Sequence, residues 1–298
     1  SAGPLRLPVL PAARHVAVCR LIEVGSNKPT RQGKASSSSA YNLRSRNRLR
    51  HADLAHFSGD SLFDEIGRVA CSADCLPRKE LFETWEAAQR IVGTFGKNLD
   101  ANVTIVDVAA GHGLLAIVLL ILAPKCKAAL CVDTHRPPSS YQLVETFSKN
   151  WPHLPAKLRY VEGSLTEVQA HPQSLLVSVH ACGTLTDKLI QVALSGQAPL
   201  AVVPCCYPLY KTDTASLEQW IDAETAVDVL RVADLKRNDY TTVLELLPQE
   251  VTPKNRMIMA YYRHWKRTLN GLRDSHPDNS NAWPKRDLPD SPWKHVSG

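Results

Sequence analysis

Residues 103–114 read Val103-Thr104-Ile105-Val106-Asp107-Val108-Ala109-Ala110-Gly111-His112-Gly113-Leu114, and this stretch decides the fold. Val103 to Val108 is a β-branched apolar run of strand length. It enters a turn carrying Gly111 and Gly113, and leaves it as Leu114 to Leu122, an apolar run of helical length. A strand, a glycine turn and a helix in that order make a ligand cradle. Glycine lets the backbone approach a ligand closely, and the first turn of the helix offers free N–H groups. About twenty residues beyond the turn, the apolar run Ala128 to Val132 reads as a second strand ending in Asp133. An acidic side chain at that place is positioned to hold ribose hydroxyls. The turn begins with an acid, Asp107, and lacks the third glycine of a dinucleotide fingerprint.

Downstream, strands and helices alternate. Tyr141 to Trp151 reads as a helix, and Leu158 to Glu162 as a third strand that runs into Gly163-Ser164. Leu175 to Val179 is a fourth strand followed by His180-Ala181-Cys182-Gly183; Thr184-Leu185-Thr186-Asp187 then has the spacing of a helix N-terminal cap. Leu200 to Val203 is a fifth strand followed by Pro204-Cys205-Cys206-Tyr207. Helices are expected at about 215–222 and 224–236, and two last strands at 240–247 and 256–263 flank a loop with Lys254, Asn255 and Arg256. Upstream, Ser61 to Ile66 and Arg78 to Phe95 look helical, the second with Leu81, Phe82, Trp85, Ala88, Ile91 and Val92 on one face. Arg78, Lys79 and Glu80 are read as capping and solvating that helix, with a reach toward the site as the alternative. The pattern predicts an α/β fold with a seven-stranded, mostly parallel sheet and a helical N-terminal extension.

With 298 residues the chain can hold one sizeable α/β domain with appendages. Residues 1–50 carry ten Lys/Arg and one acid, against 25 Lys/Arg and 28 acids in the rest, so the net charge of +6 belongs to the N-terminal arm. A slightly acidic core argues against a broad basic nucleic-acid face. The arm, Arg-rich and Ser-rich, reads as an organellar transit-like segment, as a disordered arm able to touch phosphates, or as a solvated tail. The organisation expected is thus an arm over 1–50, helices over 51–100, the α/β domain over 101–265 and a flexible tail over 266–298. No run of 18 apolar residues occurs, so no membrane span is expected. Eight scattered cysteines, several of them in strand-like segments or at strand ends, fit reduced thiols, hence an intracellular, cytoplasmic protein, with the transit-like arm leaving an organelle open.

Asp107-x-x-x-Gly111-x-Gly113 resembles the first motif of the class I S-adenosylmethionine-dependent methyltransferases, with Ala109 where that family often has its first glycine. His-Ala-Cys-Gly-Thr-Leu-Thr-Asp from His180, Pro-Cys-Cys-Tyr from Pro204 and Thr-Pro-Lys-Asn-Arg from Thr252 resemble a methyltransferase-like family that includes a domain attached to a glutathione-transferase-like C-terminal domain. The likeness covers about residues 73–262. It implies a Rossmann-like sheet, S-adenosylmethionine as cofactor, and a cofactor set of Asp107, Gly111, His112, Gly113, Asp133, Ser164 (against the adenine amine) and His180.

The acceptor side is expected at the ends of the fourth and fifth strands and the last hairpin loop. Tyr207, Lys254, Asn255 and Arg256 are candidate substrate contacts, and His180, oriented by Asp187, is the candidate proton acceptor. Cys182, Cys205 and Cys206 admit three readings. Cys182 and Cys205, at the ends of the fourth and fifth strands, resemble in placement the paired cysteines of RNA 5-methylcytosine methyltransferases, one of which attacks the base. With His180 they could hold zinc, although no CxxC spacing supports a metal and none is assigned here. They could also simply pack as small apolar groups. The function expected is direct in-line methyl transfer to a small-molecule or RNA acceptor. The alternatives are an RNA base methyltransferase with a cysteine nucleophile, and a non-catalytic module that keeps the cofactor fold.

Overall fold

A computed structural model describes residues 41–207, 209, 212–265 and 268–269. Seven strands form one sheet: β1 (Thr104–Val108), β2 (Ala128–Asp133), β3 (Leu158–Glu162), β4 (Ser174–Ser178), β5 (Leu200–Val202), β6 (Tyr240–Leu246) and β7 (Arg256–Tyr262), in spatial order β3-β2-β1-β4-β5-β7-β6. All neighbours through β5 pair in parallel, and β7 runs antiparallel to both β5 and β6. This is the Rossmann-like α/β arrangement expected, with the strand order reversing between β1 and β4. Ligand crevices open at such a reversal, beyond the C-terminal ends of the strands.

The central strands are apolar on both faces because both are covered. Ile105, Cys131, Leu175, Val177 and Met259 face one core, shared with α1 (Leu62–Ala73), α2 (Arg78–Phe95), α3 (Leu114–Leu122) and α4 (Pro138–Asn150). After the short α5 (Leu154–Lys157), α6 (Leu185–Gly196) and α7 (Ala223–Arg237) cover the other core, where Val106, Val108, Leu130, Leu176 and Val202 alternate with the first set. No helix among the described residues is long and apolar enough to cross a membrane.

Several local expectations change. The segment expected as a helix at about 215–222 is only a 3-10 turn over Leu217–Gln219. Thr184 does not cap α6 with its side chain: its own backbone is already helical, and the hydroxyl of Thr186 donates back to the Ala181 carbonyl at 2.5 Å instead. The boundary of the arm also moves. Residues 41–50, read as part of a loose segment, lie on the domain: Leu49 is fully buried, its N–H donates to the Leu76 carbonyl at 2.8 Å, and Arg48 bridges Pro77. Leu269, placed in the expected tail, is buried as well. Residues 1–40 of the expected arm, and 266, 267 and 270–298 of the expected tail, lie outside the described residues.

Candidate active site

The glycine turn is shaped by backbone that only some residues accept. Gly111 and Gly113 hold φ of +52° and +82°, and a Cβ at Gly111 would meet nothing within 4 Å, so the turn faces open space. A Cβ at Gly113 would press on the Cys131 thiol at 3.1 Å. Ala109 also holds a positive φ, +55°, a conformation that costs a non-glycine residue roughly 1–2 kcal/mol. The turn is braced from three sides. Asp133 accepts the Gly111 N–H at 2.9 Å with one oxygen and the Thr134 N–H at 2.7 Å with the other. The Tyr160 hydroxyl donates to the Gly111 carbonyl at 2.9 Å, a brace that no sequence signal marked. Asp107, buried at the end of β1, accepts the Ala116 N–H of α3 at 3.2 Å. Burial pushes its carboxyl up to about 8; the Ala116 hydrogen bond opposes this and the nearby Asp133 charge adds to it.

An open glycine cradle with the Asp133 carboxylate at its edge and the Asp107 carboxyl beneath it suits a ligand with an amino-acid part and a sugar diol, which is the chemistry of S-adenosylmethionine. Asp107, Gly111, His112, Gly113 and Asp133 stand together at the ends of β1 and β2, as expected. Ser164 is exposed on the neighbouring β3 side, where its hydroxyl accepts from the Thr166 N–H and caps a 3-10 turn.

Of the three charges at the start of the helical extension, Glu80 takes the alternative expected for them and reaches toward the site. Glu80 of α2 points at the turn: its carboxylate lies 3.5 Å from His112 Nε2, and His112 Nδ1 is 2.6 Å from the Ser139 hydroxyl. Burial raises the Glu80 carboxyl, and the charge of His180 opposes that shift. Burial likewise lowers the pKa of His112, helped by the positive charge of Arg48. Arg78 and Lys79 turn away to Asp53 and Glu83. Only the docked helix decides which of three adjacent charges turns toward the site.

His180 is exposed at the end of β4. Asp187 does not orient it. Both its oxygens are taken by Arg231 of α7, at 2.6 and 3.0 Å, which ties α6 to α7. The hairpin residues reach the same rim because β6 runs in the direction of β5, yet their charges are spent within the protein. Tyr207 donates to Asp228 at 2.7 Å, Arg256 donates to Asp228 at 2.7 Å, and Lys254 pairs with Glu224. Asn255 donates to the Leu247 carbonyl at 2.8 Å and serves the loop itself.

The thiols are brought together. The Sγ atoms of Cys182, Cys205 and Cys206 all lie within 4.8 Å of one another, with Cys182 and Cys206 exposed. Burial pushes the Cys182 and Cys205 thiols up; in Cys205 the hydrogen bond to Cys182 adds to it. Neutral thiols are poor nucleophiles at pH 7, which weighs against a cysteine that attacks unaided. The packing reading fits Cys71, Cys126 and Cys131, which are buried, better than this trio.

Residues 79–213 match a protein family described as a methyltransferase domain. Among curated proteins, the chain is similar to a glutathione S-transferase C-terminal domain-containing protein homolog of Drosophila melanogaster, 22% identical over 71% of this chain and 42% of that protein. It is also similar to a glutathione S-transferase C-terminal domain-containing protein of Xenopus laevis, 32% identical over 35% of this chain and 16% of that protein. The chain thus spans less than half the length of these relatives. Solved structures with likeness to it include the Bacillus subtilis M1A22 tRNA methyltransferase TrmK (14% identity, TM-score 0.38, 58% of this chain and 66% of that one). Another is the magnesium protoporphyrin IX methyltransferase of Synechocystis PCC 6803 (12% identity, TM-score 0.39, 73% of this chain and 97% of that one).

Proposed function

Since this chain carries a methyltransferase domain of the class I, S-adenosylmethionine-dependent type, we propose that it transfers a methyl group in line to an O, N or S nucleophile of a small acceptor whose proton is taken by His180. The observation that carries this reading is the open glycine turn with Asp133 bonded to it and Glu80 3.5 Å from His112, while His180 stands exposed at the end of β4, the strand next to β1. The cofactor supplies a sulfonium-bound methyl group. Gly111 and Gly113 would give its amino-acid part room, Asp133 would hold the ribose hydroxyls with lone pairs left over from its two backbone contacts, and Ser164 would serve the adenine edge. Exposed at the strand end, His180 can meet an acceptor arriving from solvent and accept its proton, while Glu80 stabilises the imidazolium that results. His112, held by Ser139 and near Glu80, keeps the turn and α2 in register. Tyr207 offers its ring to the acceptor. Lys254 and Arg256 are neutralised by Glu224 and Asp228, which favours an uncharged acceptor over a polyphosphate one.

An RNA acceptor is the second reading, favoured by one observation. Arg44, Arg46, Arg48 and Arg50 are exposed on the segment that crosses this rim, with Arg44 bonded to the Gln249 carbonyl and Arg48 close enough to shift His112.

The test combines binding and turnover. Asp133→Ala should weaken S-adenosylhomocysteine binding roughly tenfold to a hundredfold in calorimetry. His180→Ala should leave that affinity within a few-fold and lower turnover by about 10²–10⁴-fold, with cell extract and isotope-labelled S-adenosylmethionine as the assay. Label in the small-molecule fraction supports the leading reading, and label lost to ribonuclease the second. A chain that binds no S-adenosylhomocysteine sinks both.

A further inference from the structure

The loops after β4 and β5 meet because the strands themselves are neighbours. Ser178 pairs with Val202 across the sheet, and the Val203 N–H continues the ladder to the Ser178 carbonyl at 2.9 Å. Beyond the ladder the two loops stay joined, since the Gly183 N–H donates to the Cys206 carbonyl at 3.0 Å with Gly183 in the left-handed region at φ +63°. Within the first loop, the Cys182 N–H donates to the His180 carbonyl at 2.8 Å, and the Cys182 carbonyl accepts the Leu185 N–H at 3.2 Å. The backbone at Cys182 and Cys206 is therefore held by contacts that none of the thiols makes, and Cys205 lies between Cys206 and the ladder that ends at Val203.

We propose that Cys182, Cys205 and Cys206 form a three-thiolate zinc site at the acceptor end of the sheet. Zinc bound tetrahedrally at about 2.3 Å from each sulfur sets thiolates about 3.8 Å apart. The three Sγ atoms already lie within 4.8 Å of one another, so closing on an ion takes side-chain shifts of about 1 Å or less. Preformed backbone removes the ordering cost that usually opposes binding. Exposure of Cys182 and Cys206 gives the ion a way in and leaves the fourth coordination position facing solvent. Three protein ligands with an open fourth position are the coordination of a catalytic zinc; structural sites close with four. Binding balances simply: three thiols release three protons to solvent, three S–Zn bonds form, and the complex carries a net charge of −1. No sulfur changes oxidation state. The spacing of these cysteines hides the site, because Cys182 and the Cys205-Cys206 pair come from two different strand ends.

This site stands or falls apart from methyl transfer. The full-length chain, stripped with a chelator in the presence of a phosphine reductant, is titrated with zinc against a chromogenic chelator and, in parallel, with cobalt. One ion per chain is expected, with a cobalt spectrum showing thiolate charge transfer and tetrahedral d–d bands. Cys182→Ser, Cys205→Ser and Cys206→Ser should each weaken zinc binding by about 100-fold or more, and Cys75→Ser should leave it unchanged. Circular dichroism and S-adenosylhomocysteine affinity, read on the same variants, establish that they fold. Absence of saturable binding, binding indifferent to all three substitutions, or a disulfide as the only chemistry of the trio each overturns the proposal. Zinc binding without S-adenosylhomocysteine binding would sink the methyltransferase reading and leave this one standing.

Discussion

Asp107 shows how a single position reconciles an ordinary strand with an unusual site. Its neighbours in β1 are apolar and buried, and the carboxyl goes into the core with them, where it accepts the Ala116 N–H and faces Asp133. Its pKa of about 8 lies above the unfolded value of about 3.9. Between those values the native chain keeps a proton that the unfolded chain has lost, so stability falls as pH rises across that window, by up to about 1.4 kcal/mol per unit. Melting temperature should therefore decline from pH 5 to pH 8, and Asp107→Asn should flatten the decline. An unchanged slope in the variant would show that Asp107 is ionised throughout. The motif around Asp107 was legible as a spacing of acid and glycines. The cost of its burial was not, because burial is a property of what packs on it.

At the scale of elements, α2 divides into what its period announced and what it did not. Leu81, Ala88 and Ile91 are buried as its stripe predicted, and Phe82 and Trp85 pack partly buried on Phe63 of α1. Glu80 lies off that stripe and turned out to face the site. The α1 segment is held by a contact of another kind: Gly67 lets the Phe57 ring lie against the helix, and a Cβ there would run into that ring. Gly67→Ala should destabilise the chain by about 1–3 kcal/mol despite alanine's better helix propensity. Thermal or denaturant unfolding reads this directly, and a stabilised variant would mean that Phe57 moves aside freely.

At the scale of the whole molecule, the segment 41–50 joins parts that are far apart in sequence. Tyr41 donates to Asp53 and lies under the Arg78 guanidinium, Arg44 reaches Gln249, and Leu49 is sealed into the core of α1 and α2. A chain starting at His51 should lose about 2 kcal/mol or more relative to one starting at Tyr41, from Leu49 alone. The melting temperature should fall by several degrees. Equal melting temperatures would show that the segment contributes no net packing. Composition could not reveal this: seven of these ten residues, Asn42, Arg44, Ser45, Arg46, Asn47, Arg48 and Arg50, are polar or basic, and only docking shows that Leu49 is buried while Tyr41, Leu43 and Ser45 are half-buried.

What the chain announced by itself was everything governed by local period and local backbone need. The β-branched runs, the glycines at positive φ and the closing hairpin each follow from a few adjacent residues, and the order of elements left little choice of topology. Tertiary structure alone decided the rest. It gave Asp187 to Arg231 in place of His180, brought Glu80 to His112, spent Lys254 and Arg256 on α7, and gathered three thiols from two strand ends. The reason is physical: hydrogen bonds, ion pairs and ligand sets act over a few ångströms in space, and only the paired strands and docked helices decide which distant residues come that close.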